Sequence, residues 1–179
     1  MTSIRWVIGF VGLALLSVLA GCAATGQGSP QFVMEEFMVP AQEPGIDLYV
    51  RNKRRAGVDQ FSSDRILLFV HGATYPAETA FDLKLDGMSW MDYIAQAGYD
   101  VYLVDVRGYG RSTRPAAMDQ PATQNPPFAF TADASNDVGA AVDFIRKRRG
   151  VQKINLLAGL GARRSWRSIH PATTTKSTN

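Results

Sequence analysis

Three short runs of aliphatic residues stand out along the chain, and each ends at or next to a glycine. They are RILLFVHGA (65–73), YDVYLVDVRG (99–108) and VQKINLLAG (151–159). A continuous apolar run of this length is too short for a confident helix and is typical of a strand that is covered on both faces. The pattern therefore predicts three buried strands.

The interval between the first two runs has the pattern of a helix. Ser89 can act as the N-cap, and Gly98 can end the helix. The apolar positions between them fall on one face: Met91, Ile94 and Ala95. We predict a helix over 89–98.

The next interval predicts a second, longer helix after a proline-rich stretch. Thr131 can cap it and Gly150 can stop it. Its apolar stripe is formed by Val138, Val142 and Ile145. Arg146–Arg149 fill the last turn, where cations oppose the helix dipole favourably, so this role is preferred over nucleic-acid binding for the basic cluster.

Two β-rich stretches precede these elements. Glu35–Ala41 and Ile46–Arg54 flank a Pro44-Gly45 turn, which predicts a hairpin. Strands that alternate with helices imply right-handed crossovers and a parallel sheet. The predicted fold class is α/β, with a leading β-hairpin followed by a β-α-β-α-β parallel sheet.

Composition narrows the function classes. The chain has 179 residues, 46% of them hydrophobic, with a formal net charge of +3 and one cysteine. This fits one globular domain with a leader. Because no basic stripe or recognition motif accompanies the charge, we expect no nucleic-acid partner. The single cysteine excludes an internal disulfide and a multi-cysteine metal site, and we expect no metal and no cofactor.

The first 21 residues have the pattern of a secretory signal. Arg5 supplies a positive charge before the apolar run Trp6–Gly21. The run closes with L-A-G-C, which resembles the bacterial lipobox, and the resemblance implies lipid attachment at Cys22. The alternatives are a single membrane-spanning anchor or a buried free thiol. We predict a signal peptide over 1–21 and a flexible tether over 22–34.

The lipobox resemblance also predicts a location. Lipid chains on Cys22 would hold the protein in the bacterial cell envelope, with the membrane as its partner. The residue after the cysteine is Ala23 rather than aspartate. In the family pattern this favours the outer membrane.

Two glycine-containing loops follow predicted strands, where sites gather in open parallel sheets. They are HGATY (71–75) and DVRGYGRS (105–112). Together, in this order and with a helix between them, they resemble the alpha/beta-hydrolase family over residues 35–158. The resemblance implies an oxyanion loop at Gly72 and Ala73, with the Ala73 amide facing the developing negative charge.

The remaining motif residues have less direct roles under this resemblance. The signature positions are His71, Asp105, Arg107, Gly108 and Gly110. Asp105 is expected to order its loop rather than to act as a catalytic acid. Taken alone, His71 is equally well read as a side chain satisfied at the end of a strand.

The serine of the family's G-x-S-x-G nucleophile elbow is missing where it should follow the third buried strand. The chain has Gly159-Leu160-Gly161-Ala162-Arg163 there, with no serine at the tip. Ser165 and Ser168 come too late, and His170 lies in a Pro-Thr tail. A serine-histidine-acid assembly needs three aligned groups, so no catalytic residue is assigned.

A lost base offers an explanation for the missing elbow. If one base were deleted just after the Leu157 codon, each original codon would join the third base of one present codon to the first two of the next. Read this way, Ala158 permits glycine, Leu160 permits serine and Ala162 permits glycine, so G-x-S-x-G is allowed. We therefore expect a partial hydrolase domain over 35–158, truncated at the elbow, and an out-of-frame, disordered tail over 159–179.

These observations predict the N-terminal part of a lipid-anchored serine hydrolase, inactive as it stands. The intact parent would hydrolyse small ester-like substrates. The alternative is a noncatalytic lipid-anchored envelope binding protein. Tyr75, Trp90 and Phe128 are candidates to line a pocket, although aromatic side chains more often belong to the core. A bare fifth strand is expected to leave the fold poorly stable.

Overall fold

The computed structural model describes residues 31–125 and 129–159, which form a five-stranded sheet with helices on both faces. The strand order is β1-β2-β4-β3-β5. The strands are β1 (Phe32–Pro40), β2 (Asp47–Arg55), β3 (Ile66–Val70), β4 (Asp100–Val104) and β5 (Asn155–Ala158). The helices are α1 (Ala77–Phe81), α2 (Trp90–Gln96) and α3 (Thr131–Arg149). The predicted α/β class is confirmed.

β1 and β2 form the predicted antiparallel hairpin, in register from Phe32 opposite Arg55 to Pro40 opposite Asp47. The connection turns at Gly45, whose φ of 83° lies in the left-handed region that favours glycine. β1 begins at Phe32 rather than at residue 35, so residues 32–34 of the predicted tether belong to the strand.

The three aliphatic runs form the predicted strands in shorter form. β3 pairs in parallel with β4 on one side and with β5 on the other. Each strand ends before its aliphatic run does, because the last residues of the run leave the sheet and form loops. β2 joins the parallel part by pairing antiparallel with β4.

The helix boundaries follow local capping chemistry. At α2 the predicted cap is confirmed, because Ser89 and Asp92 form a reciprocal capping box. At α3 the predicted cap is wrong. Phe130 occupies the N-cap, and its amide donates to the Asp133 carboxylate at 2.9 Å. Gly150 ends α3 in the left-handed conformation, as expected.

Two apolar layers cover the sheet. One lies beneath α3, where Val138 and Ile145 pack on strand residues including Leu68 and Val104. The other lies beneath α1 and α2 and comprises Tyr49, Phe69, Ala77, Phe81, Met91, Ala95, Val101 and Leu103. The short helix α1 escaped prediction because five residues are too few to show helical periodicity.

β2 carries buried polar side chains, three of them charged, that its sequence pattern does not explain. Arg51, Asn52, Lys53 and Arg54 are all buried within the sheet. Arg51 and Lys53 pair with carboxylates beside α1 and α2, and Arg54 pairs with Glu35. These partners lie far along the chain or across the hairpin, so only the folded structure brings them together.

The end of α3 is also tied to the sheet by charge. Arg149 donates to the fully buried Asp100 at 2.6 Å, and Arg148 reaches Glu35 at 2.8 Å. The basic cluster therefore does more than oppose the helix dipole.

β5 is the last strand of the described sheet. Within residues 31–125 and 129–159, it pairs with β3 and with no strand on its other edge. Leu156 and Leu157 are only partly buried. In the same described residues, no helix is both long and apolar enough to cross a membrane.

Candidate functional site

Three loops meet at the carboxyl edge of the parallel strands. Val70 at the end of β3 is level with Val104 on one side and with Ala158 on the other. The residues that follow these strands, His71, Asp105 and Gly159, therefore emerge side by side. The sheet thus brings the two motif loops together at the position that sequence analysis predicts.

His71 is buried, and both of its ring nitrogens are engaged. The Val106 amide donates to Nε2 at 3.1 Å, and Nδ1 lies 2.6 Å from the Gly72 carbonyl oxygen. An amide can only donate and a carbonyl can only accept, so the hydrogen-bond network assigns the ring proton to Nδ1. In this arrangement His71 braces the two loops and has no free lone pair to act as a base.

Tyr109 makes a second link between the loops. Its hydroxyl donates to the Ala73 carbonyl at 2.7 Å, and its ring lies against His71 with centroids 4.6 Å apart. Sequence analysis missed this residue because it occupies the variable position between Gly108 and Gly110. The only available signal was an aromatic side chain between two glycines of a tight loop.

The predicted oxyanion loop is accessible to solvent. Ala73 is exposed and Gly72 is partly buried. Among the described residues, no acceptor is hydrogen-bonded to the Ala73 amide, whereas its carbonyl is held by Tyr109. An amide in this state can donate to an oxygen that enters from solvent, so the oxyanion role of Gly72 and Ala73 stays a prediction.

Asp105 is surrounded by backbone donors. Its carboxylate accepts from the Ala77 amide at 2.7 Å and from the Arg111 amide at 3.1 Å. The fit is close on one side, because a Cβ at Gly110 would lie 1.9 Å from Oδ2 of Asp105. The Asp105 carboxylate therefore binds the first amide of α1 and an amide of its own loop.

Arg107 fastens the same loop to α3. Its guanidinium makes two bonds to the Asp137 carboxylate, with Nη2 to Oδ1 at 2.7 Å and Nε to Oδ2 at 3.0 Å. It also pairs with Glu43. The hydrogen bonds that Arg107 donates to Asp137 raise the pKa of Arg107, since they stabilise its charged form.

Asp137 was not singled out from the sequence. Its side chain is fully buried on the helix face that also carries Ala141 and Ile145. A carboxylate on an apolar stripe signals a buried cationic partner, because an unpaired buried charge is strongly unfavourable. That signal was present, but it does not identify Arg107 as the partner.

Gly159 places the end of β5 against the first loop. Its amide donates to the Val70 carbonyl at 2.8 Å. A Cβ on Gly159 would lie 2.8 Å from the Gly72 nitrogen, closer than real Cβ contacts allow. The chain therefore leaves β5 in contact with the predicted oxyanion loop.

Several predicted features fall elsewhere. Tyr75 and Trp90 are exposed on the surface. The leader, Cys22, Phe128 and residues 160–179 lie outside the described residues. In the described part of the chain, no cluster of histidine, cysteine and carboxylate side chains could hold a metal ion.

A comparison with known protein families identifies the family of this chain. A family model described as alpha/beta hydrolase fold matches residues 65–159. The chain belongs to the alpha/beta hydrolase fold family. Both motif loops of this alpha/beta hydrolase chain, and the end of β5, lie within the matched region. A comparison with curated proteins finds no match.

Solved structures resemble this chain at low identity. A hypothetical protein from Pseudomonas aeruginosa, PA2218, is 17% identical, with a TM-score of 0.48, and the match covers 73% of this chain and 35% of that one. Esterase Est22 is 16% identical, with a TM-score of 0.45 and coverage of 72% and 34%. The thioesterase domain from the curacin biosynthetic pathway is 17% identical, with a TM-score of 0.42 and coverage of 70% and 35%. The alpha/beta hydrolase chain thus spans about a third of the length of these structures.

Proposed function

We propose that this chain carries the N-terminal part of a serine hydrolase that cleaves small ester-like substrates, and that it is catalytically silent as it stands. The observation that carries the proposal is the contact of Gly159 with Val70 and Gly72. Gly159, the residue that follows β5, thus contacts the loop that carries Ala73. In an alpha/beta hydrolase, the nucleophile elbow occupies this position.

The chemistry of the parent follows from that placement. A serine hydroxyl on the elbow would attack the acyl carbon, and the Ala73 amide would donate to the resulting oxyanion. A base must take the serine proton. His71 does not supply it in this geometry, because its Nε2 accepts from Val106. The base and its orienting acid therefore belong to other parts of the parent.

The proposed lack of catalytic activity follows from the sequence at the elbow. No serine stands in the segment Gly159-Leu160-Gly161-Ala162-Arg163, where the elbow needs one. We propose that a single base was lost after the Leu157 codon, because the neighbouring frame permits G-x-S-x-G at that point. The rival function is a noncatalytic lipid-anchored binding protein in the envelope.

The test is to reinsert one base after the Leu157 codon and to treat both proteins with a fluorophosphonate probe. We expect labelling of the restored protein and none of the 179-residue chain. Labelling of the chain itself would overturn the proposed silence. An unlabelled restored protein, or early stop codons in the neighbouring genomic frame, would favour the binding protein.

We further propose that the protein is a lipoprotein of the outer membrane, anchored through Cys22. The support is the apolar run Trp6–Gly21 and the L-A-G-C sequence that closes it. Metabolic labelling with palmitate tests this. The full chain should incorporate label, and the Cys22→Ser variant should not. Equal incorporation by both would contradict the anchor.

A further inference from the structure

The exposed apolar side chains of the described residues are concentrated on one side of the sheet. Two others belong to different elements, Tyr75 to the first motif loop and Phe130 to the N-cap of α3. The remaining seven are defined here as the apolar face: Met34, Met38, Leu83, Leu85, Met88, Trp90 and Tyr93. Trp90 is 70% exposed and Leu85 is 72% exposed. Exposed patches of this composition mark interaction surfaces.

Strand register places both parts of the apolar face on the same side. Glu36 lies between Met34 and Met38 and shares their face of β1, because side chains alternate along a strand. Its carboxylate accepts from Arg51 at 2.9 Å, and Arg51 also pairs with Asp82 at 2.8 Å. Asp82 directly precedes Leu83. The two methionines and the segment after α1 therefore lie on the side covered by α1 and α2.

Buried ion pairs hold this segment in place. Lys53 pairs with Asp82 at 2.5 Å and with Asp92 at 2.6 Å, and the Ser89 hydroxyl donates to Asp82 at 2.7 Å. Between these fixed points, Leu85 and Met88 exchange backbone hydrogen bonds of 3.2 and 3.3 Å. Leu83, Leu85 and Met88 thus belong to a segment that ion pairs hold to β2 at both ends.

The chemistry of the apolar face favours a lipid surface. Tryptophan and tyrosine concentrate at membrane interfaces, where their rings contact acyl chains and their polar atoms meet the headgroups. Leucine and methionine beside them supply apolar area for the acyl boundary. A lipid surface needs no matching groove in the protein, so an exposed apolar face can contact it directly.

The start of β1 connects this side of the sheet to the proposed lipid anchor. Phe32 packs against the core layer beneath α1 and α2, so its side chain faces the side of the apolar face. Phe32 lies ten positions after Cys22, and a chain of that length reaches at most about 35 Å. A bilayer that holds Cys22 therefore lies within that distance of the start of β1.

We propose that the apolar face docks on the surface of the bilayer to which the chain is anchored, with Trp90 and Tyr93 at the headgroup level. The proposal rests on the proposed lipid anchor for its orientation. Docking would hold the carboxyl edge of the sheet at a fixed height above the membrane. In the intact parent, acyl substrates drawn from that membrane would then reach the loops at Gly72 and Gly159 at that height.

A site-specific fluorescence measurement on the full chain tests the docking. Trp6→Phe and Trp166→Phe leave Trp90 as the only one of the three tryptophans, so that the signal comes from position 90, and Cys22→Ser removes lipidation. The probe is a vesicle of phosphatidylethanolamine and phosphatidylglycerol that contains brominated phosphatidylcholine. The matched control adds Trp90→Phe and Phe130→Trp, which moves the reporter to an exposed position elsewhere.

We expect a blue shift and strong bromine quenching at position 90, and at least about twofold weaker quenching at position 130. Leu85→Ser with Tyr93→Ser should weaken vesicle affinity about tenfold, as expected for lost apolar burial, whereas Tyr75→Ser should leave it unchanged. Equal quenching at both positions would show that the leader alone holds the chain and would overturn the docking. A concentration-dependent blue shift without vesicles would identify a second copy as the occupant and overturn it too.

The anchor and the docking fail separately. Loss of palmitate labelling at Cys22 would remove the anchor and leave the quenching result intact. Absence of quenching at position 90 would remove the docking, whatever the outcome of the palmitate and fluorophosphonate experiments.

Discussion

The Cα of Gly159 packs so closely on Gly72 that a Cβ on Gly159 would lie 2.8 Å from the Gly72 backbone nitrogen. The neighbouring atom is backbone and cannot swing away as a side chain would. This contact sets the distance between the end of β5 and the predicted oxyanion loop. It makes glycine a requirement at the point where the chain leaves the sheet.

Gly159→Ala should therefore destabilise the chain. Because the added methyl must displace backbone, we expect a loss of about 1–3 kcal/mol in the free energy of unfolding. Urea unfolding measures it. Gly139→Ala is the matched control, since nothing lies within 4 Å of a Cβ there, and alanine in a helix should raise stability by about 0.5–1 kcal/mol. An equal response at both positions would contradict the close approach.

Removing the Asp105 carboxylate should disorder the second motif loop. Asp105→Ala leaves the Ala77 and Arg111 amides without their acceptor, and each unsatisfied buried amide costs about 1–3 kcal/mol. We expect a total loss of about 2–4 kcal/mol in urea unfolding and faster amide exchange at both positions. Asp119→Ala, which removes an exposed carboxylate, should stay within about 0.5 kcal/mol. Unchanged exchange at Ala77 and Arg111 would exclude the ordering role.

The Arg107–Asp137 pair should show strong coupling. Removing either partner alone, by Arg107→Met or Asp137→Leu, leaves the other charge buried and should cost about 3–5 kcal/mol. The double variant should lose much less than the sum, because no uncompensated charge remains. A double-mutant cycle in urea measures this, with the exposed Arg114–Asp119 pair as a control worth about 0–1 kcal/mol. Additive losses at Arg107 and Asp137 would rule out the pairing.

Acid should weaken the link between β1 and β2 at Glu36. Hydrogen bonds from the Tyr49 hydroxyl, Arg111 and Arg51 lower the pKa of Glu36 from 4.5 to about 2. Because the folded pKa lies below the unfolded one, this stabilisation is complete above pH 4.5 and is lost as the pH falls toward 2.

The measurement is the free energy of unfolding at several pH values between 6 and 2. Glu36→Gln should reduce the fall in stability over the acid window, and Tyr49→Phe should reduce it in part, since it removes the first hydrogen bond to the carboxylate. If both variants follow the pH profile of the unaltered chain, Glu36 does not contribute to the acid response.

The order of the elements could be read from the sequence because each depends on neighbouring residues. Ser89 and Asp92 cap α2 from positions three apart, and Gly150 ends α3 through its own backbone preference. The runs before His71 and Asp105 predicted parallel strands, and parallel strands place their carboxyl ends at one edge. The meeting of the two motif loops followed from that geometry.

The contacts that build the site depended on tertiary structure. The partner of Arg107 is Asp137, thirty residues away, and Tyr109 reaches Ala73 from thirty-six residues away. No local pattern encodes such pairs, because they form only when two loops and a helix meet. The apolar face is of the same kind, since two of its methionines come from β1 and its aromatics from α2.

By itself, the sequence determined the α/β class, the strand order along the chain and the two motif loops, since backbone propensity and apolar periodicity act over a few residues. The tertiary structure alone decided the buried ion pairs of β2, the neutral bracing role of His71 and the contact of Gly159 with Gly72. Those features depend on distances between residues far apart in sequence, and only the packed sheet fixes such distances.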